Sequence, residues 1–311
     1  MKKKKYLIVL VVFFFAFISF WSICQFINEP LLSKNVPVTK PTNNISILKD
    51  NPFLEKNKII VLKLEGDVNL TWASQIEKEF KKPDCISVIA WMESNGGTVT
   101  ETKLVVHKIS ALVKKYNKSL LVYSEERLFS GAYWVACTAN KIVIAPSGET
   151  GSIGVFILRI DETVSDSMSG IKYIMIKSGK NKAMYFSHSK LTEEEKEILQ
   201  NQINKLYHEF TQYIFDCRKD KLVQAYKEIY NKEKVNDIKV MNYLENISDG
   251  RAYDATGALW FGLVDNIMYF DELVYMIYKN IPNMDVVTIE GQKIEDFYPI
   301  SDKVSEKVKE K

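Results

Sequence analysis

Four short apolar runs, each set apart by a stretch of helical composition, limit what this chain can fold into more than any other feature. They are "KIIVLKLEG" at 58–66, "CISVIAWM" at 85–92, "SLLVYS" at 119–124 and "KIVIAP" at 141–146. Unbroken apolar runs this short, rich in β-branched residues, read as strands buried on both faces. "TWASQIEKEFKK" follows the first strand. A helix follows the second, with Val105, Ile109, Leu112, Val113 and Tyr116 on one face at 3.6-residue spacing. A third helix opens at Ser130. Strands alternating with helices predict an α/β fold, a mostly parallel sheet with helices on its faces. Further on, "LTEEEKEILQNQINKLYHEFTQYIF" reads as a long helix that Thr192 caps, with Glu195 three residues on. Its stripe of Leu199, Ile203, Leu206, Phe210 and Tyr213 is expected to pack on the domain or on a neighbouring subunit.

The N-terminus carries a different signal. Lys2 to Lys5 form a basic cluster, and residues 6–26 then run for 21 residues without a charge. A spanning helix needs about 20 apolar residues, whereas a cleavable signal has an apolar core of roughly 7–15 and a small-x-small cleavage site. Trp21 and Ile23 flank Ser22, so no such site is present. The segment therefore reads as an uncleaved transmembrane helix at 6–27, with the basic tail at 1–5 in the cytoplasm. In a bacterial cell this is a single-pass inner-membrane protein whose folded part lies on the extracytoplasmic side. Pro30, Pro37, Pro41 and Pro52, among Asn, Ser and Lys, mark residues 28–55 as a linker.

Net charge is only +3, from 42 basic and 39 acidic residues, which gives no reason to expect a nucleic-acid partner. Cys24 lies in the anchor. Cys85, Cys137 and Cys217 are widely spaced, form no C-x-x-C pair, and are expected to be buried small hydrophobes. His107, His188 and His208 are far apart and do not resemble a metal site.

Two loops each follow a buried strand and open a helix, so a parallel sheet gathers them at one edge. The first is Ser94-Asn95-Gly96-Gly97, whose paired glycines permit a sharp turn with bare amides. The second holds Ser130-Gly131. A serine at a helix start is ordinarily a cap. Beside exposed amides it can also be a nucleophile with an oxyanion hole. A nucleophilic serine needs a base. No histidine has an obvious partner in the sequence. The alternative is a lysine with a lowered pKa, and "IKSGKNKAM" at 176–184 offers Lys177, Lys180 and Lys182 on a small-residue loop that composition alone would leave as a solvated basic segment.

Four further segments stand in a telling order: "MESNGGTVTET", "FSGAYWVACTANKIVIAPSGETGSIGV", "IKSGKNKAM" and "GRAYDATGALWFGLVD". Together they resemble the Ser-Lys signal peptide peptidase A family, membrane-bound relatives of the Clp protease and crotonase fold. The likeness covers roughly residues 58–275, and the intact "TGSIGV" makes it specific. It implies a Clp protease/crotonase-like parallel-sheet core with flanking helices, preceded by the transmembrane helix. It implies Ser130 as nucleophile, Lys182 as general base, and the amides of Gly97 and Gly131 as the oxyanion hole. The other lysines of that loop would help lower the pKa of Lys182. Asn95, Ala132 and Asn140 depart from the family's proline, glycine and aspartate, which bears on substrate preference and rate.

The expectation is a membrane-anchored serine endopeptidase that degrades remnant signal peptides and unfolded polypeptides, with no metal or cofactor. With one copy of the catalytic segments, the resemblance implies a homo-oligomer in which one subunit's serine meets the next subunit's lysine. The peptidase domain is placed at 56–280 and a C-terminal extension and tail at 281–311. A catalytically silent scaffold of the same fold that binds peptides or partner proteins is the alternative. Acyl-CoA chemistry of the crotonase kind is a third reading, which the anchor and "TGSIGV" oppose.

Overall fold

The alternation of strand and helix runs through the chain as the apolar runs predict. A computed structural model of the protein describes residues 58–281 and 284–298. The tail, anchor and linker assigned to residues 1–55 lie outside the described residues. Among the described residues no helix is long and apolar enough to cross a membrane.

The predicted strands form as β1 (Lys58–Glu65), β2 (Cys85–Glu93), β3 (Ser119–Ser124) and β5 (Lys141–Ile144), with the short β4 (Arg127–Phe129) between the last two. The intervening helices are α1 (Leu70–Phe80), α2 (Val99–Tyr116) and α3 (Gly131–Ala136). Later come β6 (Glu149–Gly151), α4 (Thr163–Met168), α5 (Glu193–Tyr230), α6 (Asp237–Ile247), β7 (Ala252–Asp254), α7 (Ala255–Trp260), β8 (Asn266–Ile267), α8 (Phe270–Asn280) and β9 (Asp285–Thr288). Among the described residues six parallel strands make the main sheet, in the order β8-β5-β3-β2-β1-β9.

Side chains alternate across each strand, and this splits the buried residues into two layers. Ile60, Leu62 and Leu64 face the layer built with Trp72, Ile76 and Phe80 of α1 and Val105 and Ile109 of α2. Ile59 and Val61 face the other layer, which Phe270, Leu273, Val274 and Ile277 of α8 complete. Because both faces are covered, the strands read in sequence as unbroken apolar runs. Val105, Ile109 and Leu112 are buried, and Val113 and Tyr116 pack against the same layer.

The sheet does not stop at residue 280, where the sequence reading closes the domain. β9 pairs in parallel with β1, from Lys58 opposite Asp285 to Val61 opposite Thr288, so the supposed extension supplies an edge strand. Four residues are too few to declare a strand by pattern. A second, three-stranded sheet of β4, β6 and β7 has the same excuse, since each strand is three residues long.

The long helix α5 begins at the predicted cap. Thr192 Oγ1 accepts from the Glu195 amide at 3.2 Å and the Glu195 carboxylate accepts from the Thr192 amide at 3.0 Å. It runs on to Tyr230, beyond the apolar stripe. Phe210 stacks on Trp134 of α3, with centroids 4.4 Å apart and planes at 9°. Cys85 and Cys137 are buried as expected, but Cys217 is exposed, although it continues the spacing of that stripe and touches Tyr213.

A buried ion pair fixes α5 to the sheet. Arg218 Nη1 lies 2.7 Å from Asp265 Oδ2, and the Ile142 amide donates to the same oxygen at 2.9 Å. Burial pushes the Asp265 carboxyl up, but the Arg218 charge and hydrogen bond, the Ile142 amide and Lys141 outweigh it and hold it below the ordinary range. Asp265→Ala leaves the Arg218 charge unmatched and is expected to cost about 3–5 kcal/mol. A carboxyl depressed in the folded state stabilises fully above its unfolded value near 3.9, and the contribution is lost as pH falls through the folded one. Wild type should therefore lose stability below about pH 4 more steeply than Asp265→Ala does, which acid titration of both by circular dichroism would measure.

Candidate active site

The C-terminal end of β2 and the β3–β4 turn meet through one carboxylate. Glu93 accepts from the successive amides of Glu125, Glu126 and Arg127 at 2.5, 3.1 and 2.9 Å, and from Trp91 Nε1 at 3.0 Å. Three amides aimed at one anion fix the turn that leads into Ser130. One residue on, the Ser94 amide donates to the Arg127 carbonyl at 2.8 Å and the Phe129 amide to the Ser94 carbonyl at 3.0 Å. The two loops singled out in the sequence are thus zipped side by side. Glu93→Ala is expected to destabilise by about 2–3 kcal/mol, since bonds to a charged acceptor are worth more than neutral ones. Thermal unfolding checks this.

Close approach explains the glycines. Gly96 has φ +114°, and a Cβ there would sit 3.1 Å from both the Gly131 amide nitrogen and Ser130 Cβ. A Cβ on Gly131 would meet Thr102 Oγ1 at 2.5 Å and the Gly97 amide nitrogen at 3.3 Å. Gly97 and Gly131 therefore present their backbones to one small space beside Ser130. Neither amide has a hydrogen-bond partner among the described residues. Thr102, buried on α2, also points a hydroxyl without a partner into this neighbourhood.

Ser130 occupies the cap position of α3, yet its side chain makes no capping hydrogen bond. Its backbone stands at φ 49°, ψ −119°, a region that side chains rarely adopt. Hydrogen bonds from its amide to the Gly151 carbonyl (2.9 Å) and from the Trp134 amide to its carbonyl (3.0 Å) pin it there. The Gly151 partner belongs to the "TGSIGV" segment, which gives that segment a role: it props the serine. The Ser130 hydroxyl, held at this strained turn, therefore does not serve as a cap.

Lys182 is placed differently. It is exposed, on the irregular stretch between α4 and α5, and no hydrogen bond or ion pair joins it to Ser130. Within one chain the structure brings together Ser130, Gly131 and Gly97 but not Lys182. The same stretch holds apolar side chains in the open, Ile174 at 84% and Ile176 at 97% exposed, and Phe156, ahead of α4, is 85% exposed. Sequence reading missed Glu93 and Thr102. A carboxylate that serves amides 32–34 residues away leaves no local pattern. Among the described residues no group of three or more His, Cys, Asp or Glu can hold a metal ion.

The family model described as peptidase family S49 matches residues 113–280. An inferred protease of Methanocaldococcus jannaschii is 29% identical over 212 residues, 67% of this chain and 61% of that protein. An inferred signal peptide peptidase SppA of Enterococcus faecium is 25% identical over 70% of this chain and 57% of its own length. Protease 4 of Salmonella typhi is 27% identical over 66% of this chain and 30% of its length. The chain thus spans less than two thirds of these relatives. Among solved structures, a membrane-bound stomatin-specific protease, 1510-N, captured with a substrate peptide, aligns over 76% of this chain and 93% of that one, with TM-score 0.47 and 14% identity.

Proposed function

The chain belongs to peptidase family S49, and on that premise we propose that it is a membrane-anchored serine endopeptidase with a Ser-Lys dyad. Ser130 Oγ attacks the substrate carbonyl while the neutral amine of Lys182 takes its proton. The amides of Gly97 and Gly131 hold the oxyanion. Lys182 returns the proton to the leaving amine, and water clears the acyl-enzyme. The observation that carries this reading is Ser130 itself: an uncapped hydroxyl at positive φ, beside two amides without partners. The Clp protease/crotonase-like assignment of the fold rests on the same parallel sheet and loop placement.

Lys182 reaches a nucleophile between subunits in this reading. Its exposure and the bare apolar side chains of its segment favour a homo-oligomer in which that segment lies against a neighbour. Peptides and unfolded polypeptides, remnant signal peptides among them, are the proposed substrates, since a relative is named for that activity. The uncharged run at 6–26 would anchor the enzyme in the inner membrane with its site on the extracytoplasmic side.

The test uses full-length chain in detergent micelles with a synthetic signal peptide and an unfolded protein. Ser130→Ala and Lys182→Ala should each abolish cleavage. Mixed and reassembled together, they should regain activity, because some sites then pair an intact serine with an intact lysine. No recovery in mixed assemblies counts against shared sites. A wild type as inactive as both variants, though assembled, hands the fold to the scaffold reading.

A further inference from the structure

The loop that carries Lys182 has little structure of its own. Its internal bonds are short-range: the Lys182 amide to the Gly179 carbonyl at 3.2 Å, Met184 to Asn181 at 3.3 Å, Phe186 to Ala183 at 2.9 Å, and Lys177 Nζ to the Lys180 carbonyl at 2.8 Å. An exposed ion pair joins Lys180 to Glu194, and such pairs contribute little. The loop's C-terminal stem, Phe186–Ser189, is tied down far better. Arg159 donates to the carbonyls of Phe186 and Ser189, and the Ser187 hydroxyl donates to Glu162. The Glu162 amide donates to the Ser187 carbonyl at 3.0 Å.

His188 lies at the centre of this knot. Its Nδ1 is 2.8 Å from Asp166 Oδ2 and its Nε2 is 3.4 Å from Glu162 Oε2. Tyr173 lies over its ring at 4.4 Å between centroids, Phe186 packs at 5.2 Å, and Lys172 lines the same small cavity. The Nδ1–Asp166 contact is at hydrogen-bond distance and the Nε2–Glu162 contact is longer. The imidazole thus stands between the two carboxyl groups and holds them apart across the stem.

We propose that His188 is a positioning residue for Lys182: clamped between Glu162 and Asp166, it fastens the stem of the lysine loop to α4 and so sets where the amine can reach. The inference rests on the reading of Lys182 as the general base. Proximity effects make the consequence large, because displacement of a reacting group by about 1 Å can cost a factor of roughly 10² in rate.

The experiment measures kcat and KM for an unfolded protein substrate with full-length enzyme in micelles, alongside its assembled mass. His188→Ala should lower kcat by about 10- to 100-fold with KM within about twofold, in an assembly of unchanged mass. His188→Gln, whose amide can donate to one carboxylate, should recover part of the loss. A wild-type kcat for His188→Ala overturns the proposal, as does a rise in KM that accounts for the whole loss. If His188→Ala does not assemble, Asp166→Asn carries the test: reduced kcat at constant KM supports the clasp, and unchanged kcat overturns it. Lys182→Ala separates the two levels. If it keeps wild-type activity, the dyad itself falls. If it is dead while the His188 and Asp166 variants are fully active, only the clasp falls.

Discussion

Ser130→Ala and Ser130→Gly are expected to be equally inactive and unequally stable. Loss of the nucleophile should reduce cleavage by a factor on the order of 10⁴ or more, since the oxyanion amides and substrate binding alone leave only a small residue of catalysis. Stability should separate the two. Ser130 stands at φ 49°, ψ −119°, where a side chain costs about 1–3 kcal/mol. Alanine keeps that strain and should melt close to wild type. Glycine removes it, at an entropic cost of about 0.5–1 kcal/mol, for a net gain of roughly 1 kcal/mol. In a domain of this size that raises the melting temperature by about 2–4 °C. Calorimetry and a cleavage assay on the same preparations read both effects. A Ser130→Ala enzyme within about tenfold of wild type, a barrier change of only about 1.4 kcal/mol, ends the assignment. A glycine variant that melts below the alanine one shows that the turn is not strained.

The contrast between these variants also marks where sequence stops being legible. Strands β1, β2, β3 and β5 declare themselves because both their faces are covered, so each is an unbroken apolar run. The capping box at Thr192 is equally local and equally plain. The strand β9 and the second sheet are too short for any period to show. The bonds that shape the site are non-local: Glu93 to the 125–127 amides, and Gly151 to Ser130. No window along the chain contains them. Ser130 and the glycines were found by their place at strand ends. Lys182 is picked out by resemblance, and its spacing from Ser130 in the sequence does not say whether the two are bonded within one chain. The strain at Ser130 belongs to a third kind, since the bond from its amide to Gly151 of the second sheet helps hold the backbone there.

Gly131→Ala should damage catalysis without removing a single hydrogen-bond donor. The new methyl would stand 2.5 Å from Thr102 Oγ1 and 3.3 Å from Thr102 Cγ2. Thr102 is buried on α2, where close packing leaves little room for its side chain to give way. α3 or α2 has to move, which costs about 1–3 kcal/mol. That movement carries the Gly131 amide away from the Gly97 amide. Loss of one oxyanion donor is worth a factor of about 10²–10³ in kcat. Thr102→Ala removes both clashing atoms, together with a buried hydroxyl that has no partner, so alone it should be neutral or slightly stabilising. In the Gly131→Ala/Thr102→Ala double variant the methyl fits the vacated space. Stability and kcat should then return together, with a coupling between the two positions of about 1–3 kcal/mol. Recovery of stability without recovery of kcat would mean that the added methyl blocks the substrate rather than displacing the amide. A Gly131→Ala enzyme with wild-type kcat would remove this amide from the oxyanion hole altogether.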